Sequence, residues 1–120
     1  MPEAPRTRPS GAVVVHSFAG HLKARPRAVF QALDIRLRPG AGGTSLYLAD
    51  PNAFLIVAQG GWWYRGEYRV VPDEYGSHLE HTMLNIAPQR RLASVTGRRE
   101  IKNAPAEFQR LLRELRLELE

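Results

Sequence analysis

The side chains best suited to chemistry are four histidines, four tyrosines and one arginine-rich segment. His81, Tyr64 and Tyr68 form the most informative group. Alternation puts Tyr64 and Tyr68 on one face of their strand, and His81 shares their interior in one of the two registers open to its own strand. Histidine exchanges protons near neutral pH, so the trio then suits acid–base work or the orientation of a ligand's polar end. A hydrogen-bonded core histidine beside two ordinary tyrosines accounts for the same residues.

The other reactive types are less promising. His78 and His81 are three apart on a strand and face opposite ways, and His16 and His21 also differ by an odd number, so neither pair reads as metal ligands. The absence of cysteine excludes thiolate zinc sites and thiol nucleophiles, and no serine sits in a GxSxG elbow. The PGAGGT glycines, from Pro39 to Thr44, lack the lysine and helix of a phosphate loop. No metal, cofactor or catalytic residue is assigned.

The formal charge of +5 is concentrated. Arg90, Arg91, Arg98, Arg99, Lys102, Arg110, Arg113 and Arg116 are opposed only by Glu100, Glu107 and Glu114, and the rest of the chain is neutral. Such a basic end attracts nucleic acid or another anion, or is a solvated helix face. The 43% hydrophobic and 24% charged fractions are those of a globular protein. No apolar run approaches the ~20 residues of a membrane helix, and Gly11 to Val15 is too short for a signal-peptide core, so a cytoplasmic location is expected. A chain of 120 residues fits one domain with one core.

These residues need elements to position them. Met1 to Ser10, with three prolines and no apolar periodicity, is expected to be a disordered tail. The β-branched stretch from Ala12 to Leu22 predicts a strand whose alternation does not choose a core face. Pro26 opens a helix of about two turns carrying Val29, Phe30 and Leu33. A loop from Arg38 to Thr44 precedes a hairpin of Ser45 to Ala49 and Phe54 to Gln59. From Trp62 to Val71, Arg65, Glu67 and Arg69 alternate with Tyr64, Gly66, Tyr68 and Val70, giving one water face and one core face. Trp62 and Trp63 are expected to point to opposite sides of this strand. Ser77 to Ile86 returns as a strand with a polar residue facing inward in either register. A short strand is expected near Leu92 to Thr96. The last element is an amphipathic helix over residues 105 to 119, with Asn103 as its cap, Pro105 in its first turn and an Arg110–Glu114 pair. Phe108, Leu111, Leu112, Leu115 and Leu119 form its apolar stripe.

In this order of elements the chain resembles the START-related SRPBCC superfamily, the helix-grip fold of birch-pollen-allergen-like proteins, polyketide cyclases and lipid-transfer domains. The resemblance is carried by VHSFAGHLKARPRAVFQAL at Val15 to Leu33, by GGWWYRGEYRVVPDEYGSHLEHTMLNIAP at Gly60 to Pro88, and by PAEFQRLLREL from Pro105. The second stretch is similar to one in bacterial members, and the whole covers most of Val13 to Leu119. It implies an α+β fold, in which a curved antiparallel sheet grips a long C-terminal helix and a short helix follows the first strand, as a single domain over residues 11 to 120. Leu33 to Ser45 leaves little room for the family's usual second helix, which implies a small or open cavity.

The resemblance carries across no universal catalytic residue, so it implies an apolar-ligand-binding shape without a reaction. The expected function is binding of a small hydrophobic or aromatic molecule between sheet and last helix, with Tyr64, Tyr68, His81, Met83, Phe108 and Leu112 lining the space. Two alternatives stay open. One is a polyketide cyclase or dehydratase using the same space, and the other an anion or nucleic-acid interaction through Arg90 to Arg116.

Overall fold

A computed structural model of the chain describes residues 3–40, 45–60, 62–87 and 97–120. Its elements are β1 (Val13–Leu22), α1 (Pro26–Leu37), β2 (Leu46–Asp50), β3 (Leu55–Gly60), β4 (Tyr64–Asp73), β5 (Gly76–Asn85) and α2 (Arg98–Leu119). The five strands form one antiparallel sheet in the order β1-β5-β4-β3-β2. The chain is thus a meander from β2 to β5, with β1 added beside β5 and both helices on one face. This is the α+β arrangement anticipated from the sequence, and it is compatible with a helix grip.

Both helices bury an apolar stripe against that face. Val29, Phe30 and Leu33 of α1 join Phe108, Leu112 and Leu115 of α2, and Leu22, Ile56, Val70 and Leu79 meet them from the strands. Each such side chain, fully buried, stabilises the fold by roughly 1.5 to 3 kcal/mol. Tyr47 ties β2 to α1, its hydroxyl donating to Asp34 Oδ1 at 2.7 Å, and Arg38 lies 5.0 Å over its ring. The face that alternation left open on β1 is now chosen. A bulge between Val14 and His16 resets the register, after which Phe18, Gly20 and Leu22 lie with the helices.

Several expectations are corrected. Helix α1 runs for 12 residues rather than two turns, since nothing breaks its helical pattern before the loop at Arg38. Helix α2 starts at Arg98, seven residues before Pro105, so Asn103 is an internal residue and no cap. Proline lacks the N–H that should bond the carbonyl of Ile101, and a helix normally ends there. Here His16 Nε2 donates to Ile101 O at 2.8 Å from the neighbouring strand and fills the vacancy. Arg110 pairs with Glu107 and not with Glu114, whose carboxylate is engaged by Arg36 of α1. Trp62 and Trp63 sit in the turn before β4, with Trp62 exposed and Trp63 buried against Ala87 and Ile101. The strand expected at Leu92 to Thr96 lies outside the described residues.

The outer face of the sheet is the largest correction. Residues 3–10 have no helix or strand, yet they do not hang free. Ala4 is buried against Leu48, Leu55 and Val57, because these outer-face side chains need an apolar cover. Arg65, expected in water, is fully buried. Its guanidinium donates to Pro5 O at 2.8 Å, Arg6 O at 3.2 Å, Gln59 Oε1 at 3.1 Å and Glu67 Oε2 at 2.9 Å. Arg8 adds a second cation to Glu67 at 2.8 Å. Burial pushes the Glu67 carboxyl up, but hydrogen bonds from Arg8 and Arg65 outweigh it and hold the group below its ordinary range.

Candidate functional site: an aromatic cleft beneath the C-terminal helix

The helices do not close completely on the sheet. Between β4, β5 and the first half of α2 lies a cleft of about 650 Å³, lined by Tyr64, Tyr68, His81, Met83, Ala104 and Phe108, with Arg36 and Leu37 of α1 at one side. That volume falls in the range of small-molecule pockets. Five of the six residues expected to line such a space do so. The sixth, Leu112, does not: it is buried over β1, where a side chain at Gly20 would collide with its δ-methyl groups. Gly20 lets α2 approach β1 there, and the approach seals that end of the helix.

Tyr68 and His81 on the floor belong to a stack of rings crossing three strands. His81 lies 4.0 Å from Tyr68, centroid to centroid, with the planes 8° apart. Phe18 is 5.9 Å and Phe108 6.0 Å from the same imidazole, and His16 stacks on Phe18 at 5.2 Å. The strand register explains the arrangement, since Tyr68 and Phe18 are the direct cross-strand partners of His81 on its two sides.

One ring nitrogen of His81 is fixed. Nδ1 lies 3.1 Å from the carbonyl of Glu67, which only accepts, so Nδ1 carries the proton and Nε2 presents a lone pair. No buried side-chain nitrogen or oxygen among the described residues lacks a partner, so Nε2, which has no hydrogen-bond partner among those residues, faces the open cleft that His81 lines. Burial lowers the His81 pKa below its ordinary value, and the bond to Glu67 O only partly offsets this. At pH 7 the imidazole is therefore a neutral acceptor. Glu67 connects the two sides of the sheet, its carbonyl holding His81 within the cleft and its carboxylate holding Arg65 outside.

The second polar group is a tyrosine pair. Tyr64 and Tyr68 are four residues apart on β4 with Gly66 between them. A methyl group on Gly66 would strike the Tyr64 hydroxyl and come within 3.3 Å of His81 Cε1, so the glycine leaves the floor space in which Tyr64 lies back along its own strand. Both hydroxyls belong to side chains that line the cleft, and burial pushes both pKa values up. Both phenols keep their protons at neutral pH. Each phenol therefore has an O–H to donate and an oxygen that accepts.

The rim is charged and balanced. Arg36 reaches Glu114 at 3.0 Å and Glu118 at 2.8 Å, Arg110 reaches Glu107 at 3.0 Å, and Arg99 and Glu100 come from the first turn of α2. Of the arginine-rich segment, Arg90 and Arg91 lie outside the described residues, while Arg98, Arg99, Lys102 and Arg113 are exposed along α2. Arg116 is spent on structure, donating to His21 O at 3.0 Å. Among the described residues no cluster of three metal-binding side chains occurs, and no helix is long and apolar enough to cross a membrane.

Sequence reasoning missed Gly66, Ala104, Asn103 and the α1 contribution. Gly66 carried a signal, since a glycine inside a strand marks a close approach. Asn103 was obscured by its resemblance to a cap, and Arg36 and Leu37 by an α1 taken as too short. No protein-family model, curated protein or solved structure matches this chain.

Proposed function

We propose that the protein binds a small hydrophobic or aromatic molecule in the cleft between its sheet and α2. The observation that carries this reading is the ring-stacked floor at Tyr68 and His81, open to a space of about 650 Å³ beneath Phe108. A core built only for stability would fill that volume, because close packing gains dispersion energy and an unfilled space forfeits it. Polar groups on the cleft floor are few and oriented, with the charged side chains at the rim, which suits a ligand that is mostly apolar with one polar end. The helix-grip superfamily, whose members hold apolar ligands between sheet and last helix, fits the order of elements and is proposed as the chain's relationship. Native mass spectrometry after mild purification, and after incubation with a panel of lipids and aromatic compounds, tests the function. A retained or bindable small molecule is expected, and none across the panel would refute it.

A second reading has its own observation. Neutral His81 turns Nε2 into the same cleft as the tyrosine hydroxyls, an arrangement that suits proton transfer to and from a bound carbonyl compound, as in a cyclase or dehydratase. Turnover with a bell-shaped pH profile, abolished in His81→Ala, is its expected signature. Unchanged turnover in that variant would exclude it.

A further inference from the structure

The floor of the cleft contains one fixed acceptor and one available donor. His81 Nε2 accepts because Nδ1–H is committed to Glu67 O. The Tyr64 hydroxyl, a protonated phenol lying over Gly66 beside the His81 ring, can donate. The Tyr64 hydroxyl and His81 Cε1, the ring atom bonded to Nε2, both adjoin Gly66, so one ligand oxygen above them can meet both groups. A group that donates and accepts through the same oxygen matches them, and the parallel rings of Tyr68 and His81 favour a flat body around it. A carboxylate presents only lone pairs to Nε2 and is repelled, and an aryl ether or unsubstituted ring leaves Nε2 unpaired.

We propose that the cleft selects flat aromatic molecules bearing a ring hydroxyl, whose O–H donates to His81 Nε2 while its oxygen accepts from the Tyr64 hydroxyl. This rests on the reading of the cleft as a ligand site. His81 is then the residue that sets specificity, and the ring stack supplies affinity common to all flat ligands. A hydroxyl that satisfies both groups gains about tenfold over its methyl ether, the worth of one ordinary hydrogen bond together with the cost avoided at Nε2.

Equilibrium dialysis of the full chain against 1-naphthol, 1-methoxynaphthalene, naphthalene and 1-naphthoate tests this. Naphthol binding about tenfold tighter than the ether and the hydrocarbon, with naphthoate weakest, is the expected order. Equal affinity for naphthol, ether and hydrocarbon overturns the selection while leaving the ligand site intact. Absence of binding by all four overturns both. In His81→Phe, which keeps a ring in the stack but removes the acceptor, naphthol should fall to the level of 1-methoxynaphthalene while naphthalene itself is retained. A naphthol preference that survives in a folded His81→Phe protein overturns the role given to Nε2, and the wild-type series decides the selection even where that variant does not fold.

Discussion

His16 Nε2 donates to the carbonyl of Ile101 at 2.8 Å, and Ile101 is the residue whose helical partner, four positions on, is Pro105. A strand histidine thus supplies the hydrogen bond that the proline cannot. This is how α2 continues through Pro105 and extends over the cleft, placing Asn103 and Ala104 along its wall. Replacing His16 with Phe should keep the stacking on Phe18 and destabilise the protein by about 1 to 2 kcal/mol, the cost of an orphaned carbonyl. In a Pro105→Ala background the backbone satisfies Ile101 itself, so the same replacement should cost clearly less. Urea unfolding of the four proteins of this double-mutant cycle measures the coupling, and strict additivity would contradict the link.

Two glycines on the helix side of the sheet should fail differently. In Gly66→Ala the new methyl displaces the Tyr64 hydroxyl, the mobile end of a side chain, so stability should fall modestly, by about 1 kcal/mol, while ligand binding collapses. In Gly20→Ala the methyl meets Leu112 in the sealed part of the core, and the cost should be about 1 to 3 kcal/mol. Thermal unfolding together with dialysis of an aromatic ligand separates the two outcomes.

The buried Arg65 gives a third prediction. Truncation to Ala leaves the carbonyls of Pro5 and Arg6 without this donor and Glu67 with Arg8 alone, and should cost about 3 to 5 kcal/mol. Met, which refills the volume without a charge, should cost less. Removal of residues 1–10 should also destabilise the sheet, since Ala4 covers Leu48, Leu55 and Val57 and Arg8 neutralises Glu67. Denaturant midpoints of the three proteins check the order.

The pH dependence follows from His81. Its folded pKa lies below the ordinary value because burial disfavours the charged ring, so the unfolded chain takes up a proton that the native chain resists. Stability should be at its full value above about pH 6.5 and decline below it, by up to about 1.4 kcal/mol per pH unit, until the folded pKa is reached. The lowered Glu67 pKa acts in the same direction but only in the carboxylate range, where protonation breaks its bonds to Arg8 and Arg65. Unfolding free energy measured from pH 8 to 5 should show the first slope in the wild type and lose it in His81→Phe.

Much of this molecule is legible from period and residue type. Alternation from Tyr64 to Val70 gave the correct inner face, and the spacing of Phe108, Leu111, Leu112, Leu115 and Leu119 gave the correct helix stripe, because both are local properties of a buried surface. What escaped reading depends on distant partners. Pro105 marks a helix start by every local rule, and only His16, 85 residues away from Ile101, overrides it. Arg65 looks like a solvent residue until Pro5, Arg6 and Glu67 surround it. Leu112 lies on the apolar stripe with Phe108, but the close approach at Gly20 decides which of the two meets the cleft.

The most direct test of the central claim uses Met83, which lines the cleft and is one of only two methionines in the chain. With methionine methyl groups carbon-13 labelled, an aromatic ligand seated on the Tyr68–His81 floor should shift the Met83 signal through its ring current, saturably. A Met83 signal unmoved by every member of an aromatic and lipid panel, up to saturating concentration, would contradict the account of the cleft as a binding site.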